Sequence, residues 1–99
     1  MLAETFNQPL DNWDVSNVET MDSMLMEATG FNQPLDKWNV SKVCGMNEMF
    51  REAKKFSHYP AKWTLIQNAS TNDIFVDSKA ESQAKKKPLK KSGQTLCPD

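Results

Sequence analysis

The sequence predicts an α/β repeat: a solenoid of short parallel strands and short helices, with about 25 residues per coil. Three observations carry this. Residues 6–30 and 31–55 align without a gap, and 14 of 25 positions are identical: Phe, Asn, Gln, Pro, Leu, Asp, Trp, Val, Ser, Val, Met, Met, Glu and Ala. The apolar positions of each copy fall into a strand-like half and a helix-like half. Finally, 99 residues with 38% hydrophobic content, below the usual ~45–50%, leave room for a few coils and a modest core.

The first half of each copy reads Leu10-x-x-Trp13-x-Val15 and Leu35-x-x-Trp38-x-Val40. Residues two apart point to the same side of a strand, so parallel pairing is expected at Leu10–Val15, Leu35–Val40 and, in a degraded third copy, Trp63–Leu65. In the second half Val18, Met21, Met24 and Ala28, and then Val43, Met46, Met49 and Ala53, step by three and four, the spacing of one helical face. Ser16 to Glu19 has the form of a capping box at the helix entry, although Thr20 or Asp22 could cap a shorter helix. Gly30 suits the exit of the first helix and Lys54-Lys55 the negative end of the second. The Asn-Gln-Pro turn returns the chain to the next strand.

A third copy begins fifty residues after the first, where Phe6, Trp13, Val15, Met24 and Leu25 are matched by Phe56, Trp63, Leu65, Ile74 and Phe75. The organisation read from this is a remnant of a preceding coil at 1–5, repeats at 6–30 and 31–55, a degenerate C-terminal repeat at 56–79, and a disordered basic tail at 80–99. One coil cannot cover its own apolar edge, so like residues must stack on like. The expected core takes Phe6, Leu10, Trp13, Val15, Val18, Met21 and Met24 from the first repeat. From the second it takes Phe31, Leu35, Trp38, Val40, Val43, Met46, Met49 and Phe50. The third contributes Phe56, Trp63, Leu65, Ile74 and Phe75. Asn7 and Asn32, with Gln8 and Gln33, fall in register for amide ladders.

The block F-N-Q-P-L-x-x-W-[DN]-V-S-x-V resembles the repeat of BspA-like leucine-rich surface proteins, the bacterial surface-protein repeat of about 26 residues found in mycoplasma-type and Listeria-type surface lipoproteins. The likeness covers residues 1–75. It implies a leucine-rich-repeat-like solenoid at the cell surface or outside the cell, a general role in binding or adhesion, and no catalytic residues.

Charge and composition narrow the function further. The formal net charge is −1. Residues 1–75 carry six Lys/Arg and ten Asp/Glu, and residues 76–99 six Lys and three Asp/Glu, an acidic body with a basic tail. That balance argues against a body built to grip nucleic acid. No apolar run has the ~18–20 residues of a membrane helix. The first residues lack a basic leader and an apolar h-region, so no signal peptide is read. Cys44 and Cys97 are too few for a disulfide-stapled miniprotein or a zinc site, and His58 completes no metal set. No metal, cofactor or catalytic set is expected.

The outward-facing residues between the buried strand positions form the candidate binding face: Asp11, Asn12, Asp14 and Ser16, then Asp36, Lys37, Asn39 and Ser41. Carboxylates, amides and hydroxyls in a row suit a protein or glycan ligand. The expected function is a non-enzymatic repeat module of surface or adhesion type. The alternatives are a structural spacer or fragment of a longer surface protein, and a basic-tailed binder of anionic partners. The first coil keeps its apolar layer, whereas Val18, Met21 and Ala28 become Asn68, Thr71 and Ser78 in the third. Self-association through the uncapped N-terminal coil is therefore expected.

Overall fold

Backbone amides alternate between two kinds of partner along the second half of each repeat, and this alternation decides the architecture. In the computed structural model, which describes residues 4–92 and 96–97, Met21, Ser23, Leu25 and Glu27 donate to the carbonyls of Gly45, Asn47, Met49 and Arg51 at 2.7–2.9 Å. One repeat later Met46, Glu48, Phe50 and Glu52 donate to Ser70, Asn72, Ile74 and Val76 at 2.8–2.9 Å. The intervening amides turn back within their own segment, Met24 to Met21, Met26 to Ser23 and Ala28 to Leu25, at 3.1–3.2 Å. Each segment is thus a run of turns laid in register against the next.

This pattern overturns the predicted helices. An α-helix needs every amide on the carbonyl four residues back, but here every second amide is given to the neighbouring segment. The backbone also leaves helical space at regular points. Ser23, Glu48 and Asp73, and then Glu27, Glu52 and Asp77, all hold φ between 56° and 63°. The three-and-four spacing of Met21, Leu25 and Ala28 is real, since all three are buried. Successive three-residue turns bury the same positions that a helix would.

The strands predicted at Leu10–Val15 and Leu35–Val40 fail for a related reason, while within Trp63–Leu65 a two-residue strand forms, paired with the tail instead of with the preceding repeat. Trp13, Trp38 and Trp63 donate their backbone N–H to Leu10, Leu35 and Pro60, and Val18 and Val43 donate to Val15 and Val40, at 3.0–3.1 Å. Amides committed to turns cannot join a ladder. Among the described residues the strands are β1, Thr64–Leu65, and β2, Lys90–Lys91, paired in parallel with Thr64 opposite Lys90 and Leu65 opposite Lys91. The one helix described, α1, spans Glu81–Lys86 and lies outside all three repeats. The leucine-rich-repeat-like α/β solenoid is therefore not what forms. The chain is a small globule with principal extents of 37 × 29 × 22 Å, sparse in regular structure.

Side chains hold the segments in register. The Phe6 and Phe31 rings, and the Phe31 and Phe56 rings, stack at 5.9 Å between centroids, and Trp38 stacks on Trp63 at 6.3 Å. Asn7 Oδ1 accepts from the Asn32 backbone N–H and Asn32 Oδ1 from that of Ser57, both at 2.9 Å. A second ladder runs from Asp22 Oδ1 to the Asn47 N–H and from Asn47 Oδ1 to the Asn72 N–H, both at 2.8 Å. Gly30 serves close approach rather than a helix exit: a Cβ there would lie 2.8 Å from the Glu4 carbonyl oxygen.

Most of the expected core is buried, with Phe6, Val18 and Met24 half-buried against it. Trp13 is the exception, at 53% exposure. Trp38 and Trp63 are buried because each lies over the preceding segment and donates its indole N–H to Leu10 O and Leu35 O at 2.8 Å. Among the described residues no segment occupies that place beneath Trp13.

The tail, predicted to be disordered, instead folds back on the third segment. Ala80 is buried, and Ala84 and Leu89 pack against the core, so apolar contacts offset ordering that the lysines alone would not. Ser92 N–H donates to Leu65 O at 2.7 Å, and the Tyr59 hydroxyl donates to Lys87 O. Cys44 and Cys97, set aside above as too few to staple a fold, form a disulfide with Cα atoms 5.7 Å apart. Beside it Cys97 N–H donates to Asn68 Oδ1 at 2.7 Å. The remnant expected at 1–5 and the tail end lie partly outside the described residues.

Candidate functional site

The row of polar residues expected to bind serves mainly to shape turns. Asp14 Oδ1 accepts from the Ser16 hydroxyl at 2.6 Å and from its backbone N–H at 3.1 Å. Asn39 Oδ1 accepts from the Ser41 N–H at 3.0 Å, the same turn one repeat later. The Ser16 hydroxyl, and then its backbone N–H, hold the Asp14 carboxyl below the ordinary aspartate range. Lys37 and Asp11 form an ion pair at 4.0 Å, with the lysine largely in solvent. Asn12 is exposed and Asp36 half-buried. Two of these residues border a cavity: Ser41 lines one of about 230 Å³ with Thr64, Leu65, Ile66 and Ser92, and Asp14 lines a larger one.

The larger cavity is an open cleft of about 630 Å³ on the first segment. Its floor and walls are Val15, Val18, Met21 and Met24, Trp13 forms one side, and Asp14, Thr20 and Asp22 supply the polar rim. The turns just described place each of these. Trp13 closes the turn that begins at Leu10, as Trp38 and Trp63 close theirs, but its ring stands exposed. Val18, Met21 and Met24 come to one side because successive turns advance by three residues. Asp22 is fixed through Oδ1, which accepts the Asn47 N–H at 2.8 Å, and the Thr20 hydroxyl accepts the Asp22 N–H at 3.4 Å.

The cleft's backbone is also distinctive. The carbonyls of Thr20, Asp22, Met24 and Met26 stand one repeat before the four carbonyls that accept from the first segment, and among the described residues no donor reaches them. The site thus offers apolar surface, an indole N–H donor, a row of carbonyl acceptors and two carboxylates. Such a surface can hold a partner. Among the described residues no group of three His, Cys, Asp or Glu side chains could hold a metal ion, and no helix is long and apolar enough to cross a membrane.

Sequence reasoning placed Trp13, Val18, Met21 and Met24 in the core and passed over Thr20 and Asp22. The repeat arithmetic accounts for the two buried rings, since Trp38 and Trp63 each reach a leucine carbonyl 28 residues earlier, at Leu10 and Leu35.

A family model described as Mycoplasma protein of unknown function, DUF285, matches residues 1–87. This supports a mycoplasma-type family without singling out the BspA-like leucine-rich repeats. Comparison with curated proteins and with solved structures gave no match.

Proposed function

Because this chain belongs to the DUF285 family of Mycoplasma proteins of unknown function, we propose that it is a non-enzymatic binding module of surface type that holds a protein partner against the Trp13 cleft. The exposure of Trp13 beside Val18 and Met24 is the observation that carries this reading. An amphipathic ring at the mouth of an apolar cleft supplies contact area at little entropic cost, and such residues dominate binding energy at protein interfaces. The unmatched carbonyls favour a protein over a glycan, because a backbone can meet them with amides at the same spacing. The resemblance of the F-N-Q-P-L-x-x-W block to surface-protein repeats is compatible with an adhesion-type role.

The test is retention of the labelled, disulfide-intact chain on intact cells and on a glycan array, in wild-type and Trp13→Ala forms. Protease-sensitive retention on cells that the substitution abolishes is expected. Equal retention of both forms, or retention on glycans alone, would overturn the reading. A spacer would show no retention at all, and a binder working through its basic tail would lose retention in high salt whatever stands at position 13.

A further inference from the structure

The two ends of the molecule are complementary. The first segment presents carbonyl acceptors at Thr20, Asp22, Met24 and Met26. At the opposite end Thr71, Asp73 and Phe75 occupy the positions from which Met46, Glu48 and Phe50 donate, and among the described residues their N–H groups meet no acceptor. The side chains match as well. Trp38 and Trp63 each donate to the carbonyl that opens the preceding segment, and in the third segment that carbonyl belongs to Pro60. Asn72 ends the Asp22–Asn47–Asn72 ladder with its own side chain unused in it.

Donor edge on acceptor edge would repeat a contact that the chain already makes twice within itself. Two acceptor edges face to face would oppose carbonyl to carbonyl, which excludes a head-to-head pair.

The tail lies across the donor edge. Helix α1 and residues 88–91 sit over Thr71, Ile74 and Phe75, leaving clefts of about 260 and 300 Å³ between them. The attachment runs through buried Ala80 and core-packed Ala84 and Leu89, the β1–β2 strand pair, the Ser92–Leu65 and Cys97–Asn68 hydrogen bonds and the Tyr59–Lys87 contact, and the Cys44–Cys97 disulfide closes its far end.

We infer that the Trp13 edge binds a second copy of this chain, which docks head to tail through its 71–75 edge once its Cys44–Cys97 disulfide opens and its tail lifts. This rests on the reading of the Trp13 cleft as a binding site and names its partner. Opening takes two electrons and two protons from a dithiol, which closes to its own disulfide while Cys44 and Cys97 become thiols. A head-to-tail contact that repeats the in-register stacking of one segment on the next leaves an unused edge at each end, so the assembly grows as an open chain.

Sedimentation velocity of the purified full-length protein over a rising concentration series tests this, with the disulfide intact, after treatment with dithiothreitol, and in a Cys97→Ser variant. The intact form should remain monomeric, and the treated protein and the variant should form chains that lengthen with concentration. Treated Trp13→Lys protein should stay monomeric alone and, added in small amounts, shorten wild-type chains, because it keeps only its donor edge. A treated protein that stays monomeric, stops at a dimer, or assembles no more than the intact form would overturn the inference. So would loss of the near-ultraviolet circular dichroism of the stacked tryptophans on reduction, since the tail would then be part of the fold rather than a removable cover. Trp13-dependent retention on cells without assembly of the treated protein overturns this inference alone, and failure of both overturns the reading beneath it.

Discussion

The indole N–H of Trp38 donates to the backbone carbonyl of Leu10 at 2.8 Å, 28 residues earlier in the chain, and the same Leu10 oxygen accepts the Trp13 backbone N–H at 3.0 Å. One buried oxygen therefore closes a local turn and fastens the next segment to it. Trp63 and Leu35 repeat the arrangement with the same indole distance, 2.8 Å.

Substitution at Trp38 and Trp13 should separate these roles. Trp38→Ala removes a buried ring and its stacking on Trp63, and should cost ~3–5 kcal/mol. Trp38→Phe keeps most of the ring and loses the hydrogen bond; Leu10 O retains one donor, so a cost of ~1–2 kcal/mol is expected. Trp13→Ala, at an exposed ring, should stay within ~0.5 kcal/mol. Urea unfolding of the three variants checks the order, and a Trp13→Ala cost equal to that of Trp38→Ala would contradict the packing described.

The positive-φ positions give a second prediction. Glu27 is exposed and holds φ at 62°. A left-handed conformation costs a residue bearing a Cβ roughly 1–2 kcal/mol, and glycine escapes it at an entropic cost of ~0.5–1 kcal/mol. Glu27→Gly should therefore stabilise the fold by about 0.5–1 kcal/mol. Glu27→Val, with a branched Cβ in the same conformation, should destabilise it. Thermal melts of the pair decide the matter, and a glycine variant that melts below the parent would count against the strain.

How much of this was legible beforehand depends on which residue is asked. Phe6, Phe31 and Phe56 stack as the 25-residue register requires, because identical rings at a fixed period meet whatever the backbone does between them, whereas the expected amide ladders change partners: Asn7 Oδ1 accepts from the Asn32 backbone N–H, and the Gln33 amide donates to Asn7 instead of Gln8. Met21, Leu25 and Ala28 are buried as their spacing demands, yet that spacing did not distinguish a helix from a run of turns whose alternate amides leave for the neighbouring segment. Trp13 was misplaced because its sequence context is that of Trp38, and exposure depends on what lies beneath a residue rather than on its neighbours in the chain. The Cys44–Cys97 pairing spans 53 residues and depends on the tail folding back, which its lysine-rich composition does not suggest.

Gly30 should be the least replaceable of the small residues. Its N–H donates to Glu4 O at 2.9 Å, and an added Cβ would lie 2.8 Å from that same oxygen. A backbone atom cannot swing aside as a side chain can, so Gly30→Ala should cost ~1–3 kcal/mol through displacement of residues 4–5. At Gly45 the nearest atoms belong to the Asp22 and Thr20 side chains, which can rotate away. Gly45→Ala should cost less and weaken the Asp22–Asn47 hydrogen bond. Amide hydrogen exchange would show loss of protection at Gly30 in the first variant and at Asn47 in the second; the reverse assignment would refute the argument.

Asp14 supplies a prediction in pH. Hydrogen bonds from the Ser16 hydroxyl and then its N–H depress the folded-state pKa of this carboxyl. Its contribution is thus fully present above the unfolded-state pKa and is lost as pH falls through the lower folded value, because the ionised carboxylate accepts both bonds more strongly than the neutral acid does. The effect should appear as a loss of stability on acidification below the ordinary aspartate range, with none near neutrality. Asn39 makes the equivalent turn with an amide that does not titrate. Asp14→Asn should therefore keep the turn and remove this part of the acid sensitivity, whereas Ser16→Ala should return the Asp14 titration toward the ordinary aspartate range. Carboxyl-carbon chemical shifts followed through an acid titration measure both variants directly. An Asp14 resonance in the parent that titrates no lower than it does in the Ser16→Ala protein would show that the hydroxyl does not hold the charge.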